Sequence, residues 1–491
     1  MKTIKFDFNN MFDFSVGKAH GVTAKDLRRV AGLVKKAHKH LSGILADKAS
    51  RVKLGLEWQN LPSQDKGLIR DIQELGDNIS AKYDNVISLG IGGSYLGLKA
   101  AQDALAPAYY NEFAGLRKGR PRIYLEGNNL DPQPLAALLK SLDPKKTFVI
   151  VISKSGETTE TKAAFAVVEP WLKKGAGGNY GRQIFAITDP ASGALRKKVD
   201  AAHAKDKLSF NSLPLLKGVG GRYSELNMGL LHLAILGVDI AEVLSGAKSM
   251  SARCRAADPL RNPAYMYALL HTILYRNKNK PIGILMPFCE SLKSTADWYC
   301  QLLAESTGKK YARLIKKGND GREEWVMDLK KVVNLGRTPI STRGTNDLHS
   351  VQQNNIEGVN DKAVTFIRVE NFRSDIKVPG KGDLLSGRAY SKLLGLAQEA
   401  TEWAMVRNQR PNCTIILPEV TPFFWGQLLF FFEMATAFEG ELLNINAFDQ
   451  PGVEGYKNYM YYKLRKPGLS RDIASEIEKS PLVKRPRFII Q

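Results

Sequence analysis

The sequence predicts an α/β fold that contains two separate series of parallel strands and helices. From Asn85 onward, short β-branched runs alternate with amphipathic stretches, which is typical of parallel strands joined by crossover helices. A second series of such runs begins at Lys280. The chain has 491 residues with 44% hydrophobic content, so it is long enough to bury more than one core.

The segment 1–80 precedes the first strand, and we expect it to be mostly helical and to serve in packing. Apolar side chains recur at three- and four-residue spacing through 23–49, as on one face of a helix. Thr23 stands where that helix would begin, and threonine is a favoured residue at a helix start.

Two α/β domains follow, with predicted bounds 81–245 and 246–445. The predicted strands of the first domain lie in NVISLGIGGS, RIYLEGNN, TFVIVISKSGE and RQIFAITDP. Those of the second domain lie in KPIGILMPFC, AVTFIRVE and CTIILPE. No obvious linker marks the boundary between the two domains. The remaining segment, 446–491, is predicted to form a helical C-terminal tail.

The charge balance favours anionic partners, because 71 basic side chains face only 49 acidic ones and the net charge is +22. The lysines and arginines are spread along the chain, however, and no zinc-finger, RNA-recognition or basic-zipper pattern accompanies them. We therefore expect a basic surface that attracts anions, and no dedicated nucleic-acid binding.

Cysteine usage and hydropathy indicate a cytoplasmic protein. The chain has four cysteines, at Cys254, Cys289, Cys300 and Cys413. Their spacing includes no CxxC pair, which suits reduced thiols and gives no framework for a metal. The N-terminus lacks the apolar run of a signal peptide, and the apolar segment 423–438 is interrupted by Gln427 and Glu433, so we expect no membrane insertion.

The segment 151–161, VISKSGETTET, places five hydroxyl side chains and one lysine directly after an apolar strand. In a parallel sheet, ligands bind beyond the carboxyl ends of the strands, where the next helix offers unpaired N–H groups. The candidate ligands of a phosphate there are Ser153, Lys154, Ser155 and Thr158. A helix cap that binds no ligand explains the same hydroxyls.

A glycine-rich segment, SLGIGGSYLG at 88–97, ends another strand of the same domain. It is not a dinucleotide-binding fingerprint, because Tyr95 stands where the third glycine would be, and no GK[ST] follows to make a P-loop. The glycines would let the backbone approach a ligand, with Ser94 starting the next helix. A tight strand-to-helix turn is the alternative.

Four further segments carry candidate catalytic or binding side chains. They are Arg222 in GVGGRYSELNMG, Glu305 in QLLAESTGK, His349 in GTNDLHS, and Gln450, Glu454 and Lys457 in FDQPGVEGYK. An arginine beside glycines can approach an oxyanion closely, and a carboxylate at the end of an apolar helix can act as a base. Taken singly, each of these side chains could equally be an ordinary solvated residue.

Together these segments make the sequence resemble the glucose-6-phosphate isomerase family, also called phosphoglucose isomerases. The two stretches GGRYS and FDQPGVEGYK match those by which that family is usually recognised. The segments GIGGS, SKSGETTET, ESTGK and GTNDLHS match its other site segments in the same order. The resemblance runs from about Asn85 to Lys457, which is most of the chain.

The resemblance implies two sugar-isomerase (SIS) domains, each a parallel sheet flanked by helices in three layers. It implies that the serine-rich loop, Ser153, Lys154, Ser155 and Thr158, holds the 6-phosphate of a sugar. It also implies that Gly93 and Ser94 line the same pocket and that Gln450 contacts the ligand.

The chemistry implied is the interconversion of glucose 6-phosphate and fructose 6-phosphate through a cis-enediol, without metal or cofactor, in glycolysis and gluconeogenesis. Glu305 matches the base that moves the proton between C1 and C2, and Arg222 matches the residue that stabilises the enediolate. His349 and Lys457 match the groups that assist ring opening. In this family the histidine comes from the neighbouring subunit, so the resemblance implies a homodimer.

Two other functions are consistent with parts of this pattern. A non-catalytic SIS-type sensor would keep the phosphate loop without the ordered Glu, Arg, His and Lys. An isomerase acting on mannose 6-phosphate, or on both epimers, would keep every motif.

One departure from the family is Glu225, where an uncharged residue is more usual, and it is expected to affect packing or charge near Arg222.

Overall fold

The computed structural model describes residues 3–490, and the chain divides into two compact units, Met1–Ala447 and Phe448–Gln491. The strands are β1 (Lys5–Asp7), β2 (Asn85–Leu89), β3 (Arg122–Glu126), β4 (Thr147–Ile152), β5 (Ile184–Thr188), β6 (Asn211–Pro214), β7 (Ile282–Pro287), β8 (Lys309–Lys317), β9 (Glu323–Leu335), β10 (Thr338–Ser341), β11 (Lys362–Asn371) and β12 (Asn412–Glu419). All of them belong to the first unit.

The α-helices of the first unit are α1 (Asp13–Val16), α2 (Ala24–Ala46), α3 (Lys48–Leu54), α4 (Lys66–Lys82), α5 (Gly93–Leu105), α6 (Ala114–Arg117), α7 (Pro132–Ser141), α8 (Thr159–Ala176), α9 (Ala194–His203), α10 (Glu225–Met228), α11 (Leu230–Ile235), α12 (Ile240–Arg253), α13 (Pro263–Asn277), α14 (Lys293–Thr307), α15 (Gln352–Glu357), α16 (Tyr390–Arg407) and α17 (Pro422–Leu443). The second unit contains α18 (Glu454–Lys463) and α19 (Arg471–Lys479), in agreement with the helical tail predicted for 446–491.

The first sheet is fully parallel, with strand order β3-β2-β4-β5-β6. Strands β2, β4 and β5 are buried along their whole length, which explains why their sequences are continuous apolar runs. Helices such as α8 and α9 pack on the sheet and complete its core. The strand order reverses between β2 and β4, and ligands of open α/β sheets bind at such a point.

The second sheet has the order β1-β12-β11-β7-β10, and its strands β7, β10, β11 and β12 are parallel. The predicted strands of the second series are therefore confirmed. Strand β1 was not predicted, because it lies in the segment 1–80 that is otherwise mostly helical as expected. It pairs antiparallel with β12 and so covers what would be an unpaired edge.

An antiparallel hairpin, β8 and β9, stands apart from both sheets and was not predicted either. Its sequence mixes charged with apolar residues, and many of its side chains remain exposed. The hairpin is held to the core by Arg313, whose guanidinium pairs with Glu441 of α17 at 3.0 Å. His40 of α2 bonds the same carboxylate at 2.6 Å and Glu323 of β9 at 2.9 Å.

Helix α17 lies at the centre of the first unit, and its residues from Phe424 to Leu443 are buried. Helices α12, α13 and α14 pack against it. Two of its buried carboxylates pair with arginines, Glu441 with Arg313 and Glu439 with Arg337 at 2.7 Å. Across residues 3–490, no helix combines the length and the apolar character needed to cross a membrane.

The helix start predicted at Thr23 is confirmed. The hydroxyl of Thr23 accepts a hydrogen bond from the N–H of Asp26, and the Asp26 carboxylate accepts one from the N–H of Thr23. The domain bounds 81–245 and 246–445 stay a prediction. Residue 245 lies inside α12, and both sheets belong to one compact unit.

Candidate active site

Two of the predicted site segments leave the first sheet from neighbouring strands. Strands β2 and β4 are parallel partners, with Leu89 opposite Val151. The glycine-rich segment follows β2 and the serine-rich segment follows β4, so both begin at the same edge of the sheet. This edge is the point at which the strand order reverses.

The serine-rich segment forms a tight loop ahead of α8. The hydroxyl of Ser153 accepts a hydrogen bond from the N–H of Gly156 at 3.0 Å, and that of Ser155 accepts one from the N–H of Glu157 at 3.1 Å. Gly156 has φ of +75°, and a Cβ there would lie 2.4 Å from the nitrogen of Leu195, so the turn requires glycine.

The four candidate phosphate ligands of the loop differ in their exposure to solvent. Lys154 and Ser155 are exposed, whereas Ser153 is buried. Thr158 occupies the N-cap position of α8, but within the described chain its hydroxyl makes no capping hydrogen bond. The N–H groups of the first turn of α8 are thus available at the positive end of the helix dipole.

The glycine-rich segment packs directly against the loop that carries Arg222. A Cβ added to Gly93 would lie 2.1 Å from the carbonyl oxygen of Gly221 and 2.8 Å from the nitrogen of Arg222. Gly92 has φ of +61°, a backbone conformation that favours glycine. The two backbones can therefore approach this closely only because Gly93 lacks a side chain, and Ser94 follows half-buried in the first turn of α5.

Arg222 is buried, and hydrogen bonds from each of its three guanidinium nitrogens hold it in place. Its Nε donates to Ser306 Oγ at 2.8 Å, its Nη1 to Glu305 Oε2 at 3.2 Å and its Nη2 to the carbonyl oxygen of Ala447 at 2.8 Å. The side chain of Arg222 is 3% exposed. A positive charge held this rigidly in a buried position can stabilise a negative charge that develops beside it.

Glu305 lies in the last turn of α14, and its side chain is 30% exposed. One carboxylate oxygen accepts from Arg222, and the other accepts from Gln301 Nε2 at 3.0 Å. The backbone oxygen of Glu305 accepts from Lys309 Nζ at 2.7 Å, which fixes the end of the helix. The carboxylate is thus oriented by two donors while part of it faces solvent.

Residues that the sequence analysis did not single out support this pair. The Tyr223 hydroxyl lies 3.1 Å from Ser306 Oγ, and the Tyr223 ring stacks on Trp58 with centroids 5.0 Å apart. Ser306 and Tyr223 stand directly beside Glu305 and Arg222 in the matched motifs, so adjacency was a usable signal for them. Nothing in the sequence indicated Trp58.

Glu225, the departure from the family pattern, is buried behind Arg222. Its Oε1 accepts from Trp298 Nε1 at 2.9 Å, and its Cγ fills the space where Gly97 lacks a side chain. Burial raises the pKa of Glu225 to about 8. At neutral pH the group is therefore protonated, and it adds no negative charge beside Arg222.

His349 ends a short turn after β10 and is exposed. Asp347 organises this turn by accepting from the N–H of Arg343 at 2.8 Å and from Ser350 Oγ at 2.9 Å. Burial alone would raise the pKa of Asp347, but these hydrogen bonds lower it below its ordinary value. Within residues 3–490 no side-chain hydrogen bond or ion pair joins His349 to Arg222 or Glu305.

Gln450 and Lys457 belong to the second unit. Lys457 lies on α18 and its Nζ donates to Glu454 Oε1 at 2.9 Å. Burial alone would lower the pKa of Lys457, but the hydrogen bond with Glu454 raises it. Gln450 precedes the 3₁₀ turn Pro451–Val453 that leads into α18. The first unit by itself brings together Gly93, Arg222 and Glu305.

Comparison with known proteins gives consistent matches. The family model of phosphoglucose isomerase matches residues 69–326 and 384–476. The glucose-6-phosphate isomerase of Carboxydothermus hydrogenoformans is 36% identical over 99% of this chain and 100% of that protein. The glucose-6-phosphate isomerase of Symbiobacterium thermophilum is 37% identical over 86% of this chain and 89% of that protein.

Solved structures share the fold. A hypothetical protein from Thermus thermophilus, TT0462, superposes with a TM-score of 0.77 at 30% identity, covering 94% of this chain and 100% of that one. A glucose-6-phosphate isomerase from Chlamydia trachomatis superposes with a TM-score of 0.74 at 21% identity, covering 94% of this chain and 90% of that one. At that identity the second likeness concerns the fold alone.

Proposed function

The chain belongs to the phosphoglucose isomerase family, and on that premise we propose that it interconverts glucose 6-phosphate and fructose 6-phosphate through a cis-enediol, with Glu305 as the base and without a metal ion. As a member of this family it is an aldose–ketose isomerase. The observation that carries the mechanism is the 3.2 Å contact between Glu305 and the buried guanidinium of Arg222, next to the glycine-rich loop of the first sheet.

The phosphate of the substrate binds the serine-rich loop. Lys154 supplies a positive charge, and the hydroxyls of Ser153, Ser155 and Thr158 supply neutral donors at the N-terminus of α8. Gly93 and Ser94 line the neighbouring wall, because their loop leaves the adjacent strand.

Proton transfer uses the carboxylate of Glu305. It removes the proton from C2 of the open-chain aldose, the electrons form the C1–C2 double bond of the enediol, and the carbonyl oxygen takes up negative charge. Arg222 faces that charge. A proton passes from the hydroxyl on C2 to the oxygen on C1, and the same carboxylate then returns its own proton to C1 as the oxygen on C2 becomes the carbonyl of the ketose. One carboxylate can serve both carbons because they are neighbours.

Ring opening precedes this step, and we assign it to His349 and Lys457, with Gln450 contacting the ligand. His349 is exposed and, among the described residues, unconnected to Glu305. On the resemblance to the family we propose a homodimer in which each site receives His349 from the neighbouring subunit. The two SIS domains, 81–245 and 246–445, and a cytoplasmic location are part of the same proposal, and the reaction serves glycolysis and gluconeogenesis.

The test is turnover of fructose 6-phosphate by the purified, chelator-treated protein, with glucose 6-phosphate detected through a coupled dehydrogenase. We expect full activity after chelation. Loss of activity on chelation, restored by a divalent cation, would contradict the metal-free mechanism. Tight binding of the sugar phosphate without any turnover would instead identify a sensor.

A parallel assay with mannose 6-phosphate addresses the second alternative. Because the two aldose phosphates differ only at C2, the residues around Glu305 decide between them. We expect glucose 6-phosphate to be the preferred aldose, and a preference for mannose 6-phosphate would overturn the assignment of substrate.

A further inference from the structure

A cavity lies in the first unit, between α2, the 3₁₀ segment Glu57–Ser63 and the end of α12. Its volume is about 380 Å³, within the usual range for small-molecule sites. None of the loops assigned to the sugar phosphate contributes to it. Its polar lining consists mainly of His38, Ser42, Arg51, Asn60, Ser251 and Arg255.

The lining carries positive charge and no acidic side chain among the described residues that form it. Two further groups that could ionise are neutral, because burial raises the pKa of Cys254 to about 12 and also raises the pKa of Tyr265. An anion entering the cavity therefore meets no carboxylate among these lining residues, and Glu57 of the adjoining segment is paired with Arg51. In a protein with a net charge of +22, such a cavity is placed to concentrate anions.

The two arginines differ in how far their charge is compensated. Arg51 is fixed by Glu57, whose Oε2 accepts from its Nε at 2.8 Å, and by the carbonyl oxygen of Leu45 at 2.6 Å. In the part of the chain that is described, the guanidinium of Arg255 makes no ion pair and no hydrogen bond. Arg255 thus brings an uncompensated charge to the cavity, with the Asn60 side chain as a further exposed polar group.

The 3₁₀ segment that forms one wall of this cavity also contacts the loop that carries Arg222. Glu57 donates its N–H to the carbonyl oxygen of Gly218 at 3.0 Å, and Leu56 forms a β-bridge with Val219. The next residue in the segment, Trp58, stacks on Tyr223, directly beside Arg222. A ligand held by the segment Glu57–Ser63 would therefore act on the loop that carries Arg222.

We propose that this cavity is a regulatory site for a small anion with at least two negative charges, bound by Arg255 and Arg51 and coupled through the segment Glu57–Ser63 to Arg222. The charge pattern suits both polyphosphates and polycarboxylates. The coupling follows from contiguous contacts, since one 3₁₀ segment lines the cavity and bonds the catalytic loop.

The test measures pyrophosphate binding to the full-length protein by calorimetry, with citrate in a parallel titration to distinguish phosphate from carboxylate ligands. We expect two sites per chain in the wild type, one of them the serine-rich loop. Arg255→Glu should weaken binding in the cavity about tenfold or more, so that this one of the two sites is lost from the titration. Asn60→Asp, which adds a carboxylate with little change in volume, should act in the same way.

Two control variants distinguish binding in this cavity from binding at the serine-rich loop. Lys248→Glu, within α12, makes the same change of charge, but Lys248 does not line the cavity, so this variant should keep both sites. Combined replacement of Lys154 and Ser155 by alanine should remove the other site and leave the one that depends on Arg255. A failure of the proposed phosphate loop would therefore appear in this double variant and not in Arg255→Glu.

The regulatory part is tested by kcat at saturating fructose 6-phosphate, where the active site is occupied. Pyrophosphate or citrate should change kcat about twofold or more in the wild type and in Lys248→Glu, but not in Arg255→Glu. Binding that is unaffected by Arg255→Glu overturns the site. Binding that depends on Arg255 but leaves kcat unchanged overturns the coupling to Arg222.

Discussion

Glu225, behind Arg222, allows a quantitative test of whether its buried carboxyl group is protonated in the folded protein. The side chain is 2% exposed and lies between α5, which supplies Gly97, and α14, which supplies Trp298. Its Oε2 has no hydrogen-bond partner among the described residues. Glu433 of α17 is also buried, and its charge interacts with that of Glu225 so that burial and repulsion both raise the pKa of Glu433.

The expected effect of Glu225→Gln follows from the difference in proton binding between the folded and unfolded chains. The pKa of Glu225 is about 8 in the folded protein against an ordinary value of 4.5. Between these two pKa values the folded state holds one proton that the unfolded state has lost. The contribution of Glu225 to the free energy of unfolding therefore falls as pH rises. The slope is about 1.4 kcal/mol per pH unit, and it ends above the folded pKa.

Glutamine keeps the shape of the protonated side chain and its acceptor for Trp298, but it cannot ionise. Relative to wild type, Glu225→Gln should therefore gain on the order of 4 kcal/mol of unfolding free energy between about pH 5 and about pH 8. The assay is urea unfolding followed by tryptophan fluorescence, at a fixed protein concentration because assembly would shift the midpoint.

The matched control is Glu399→Gln, which removes a carboxylate from the exposed face of α16. It should leave the pH dependence of unfolding close to that of wild type. If Glu225→Gln and wild type lost stability in parallel from acid to neutral pH, Glu225 would be ionised in the folded protein, and the reasoning from its burial would be refuted.

Three further predictions concern the hairpin, the glycine-rich loop and the phosphate loop. The hydrogen bond to Glu441 raises the pKa of His40. The stability that protonated His40 contributes is therefore complete below the ordinary pKa of histidine and is lost as pH rises through the raised pKa of the folded protein. His40→Gln should thus lower the Tm more in acid than in alkaline solution. Gly93→Ala should displace the Arg222 loop and reduce kcat/KM about tenfold or more, measured in the coupled assay. Lys154→Ala with Ser155→Ala should weaken a phosphate-bearing competitive inhibitor more than it lowers kcat, measured by inhibition kinetics.

Each of these has a control or a contrary outcome. For the hairpin, an equal loss of Tm at all pH values would show that His40 acts by packing alone. For the glycine-rich loop, Gly115→Ala is the control, because an added Cβ there meets no atom within 4 Å, and it should leave kcat/KM unchanged. For the phosphate loop, unchanged inhibitor affinity would remove the assignment of Lys154 and Ser155.

The sheets and their ligand-binding edge were predictable because their sequences are locally consistent. Strands β2 and β4 are buried on both faces, so uninterrupted apolar runs marked them, and glycines or hydroxyls marked where they end. The start of α2 at Thr23 was predictable for the same reason, since its capping interaction spans only three residues.

Features that depend on distant parts of the chain were not predictable. Arg222 and Glu305 are 83 residues apart, and their contact depends on how α14 packs against α5 and the turn that carries Arg222. The hairpin β8–β9 resembles a solvated segment because charged residues are interspersed among its apolar ones, and its attachment relies on His40 and Glu441 from remote helices. Periodicity carries no information about such contacts.

The most direct test of the mechanism is the turnover of Glu305→Gln beside wild type and Glu290→Gln, all treated with a chelator. Glu290 precedes the same helix, and its carboxylate is exposed, so it controls for the loss of a charge near α14. If Glu305 transfers the proton, Glu305→Gln should still bind fructose 6-phosphate but turn it over about a thousandfold more slowly, while Glu290→Gln stays near wild type. A Glu305→Gln variant with near wild-type turnover would contradict this role and assign the base to another residue.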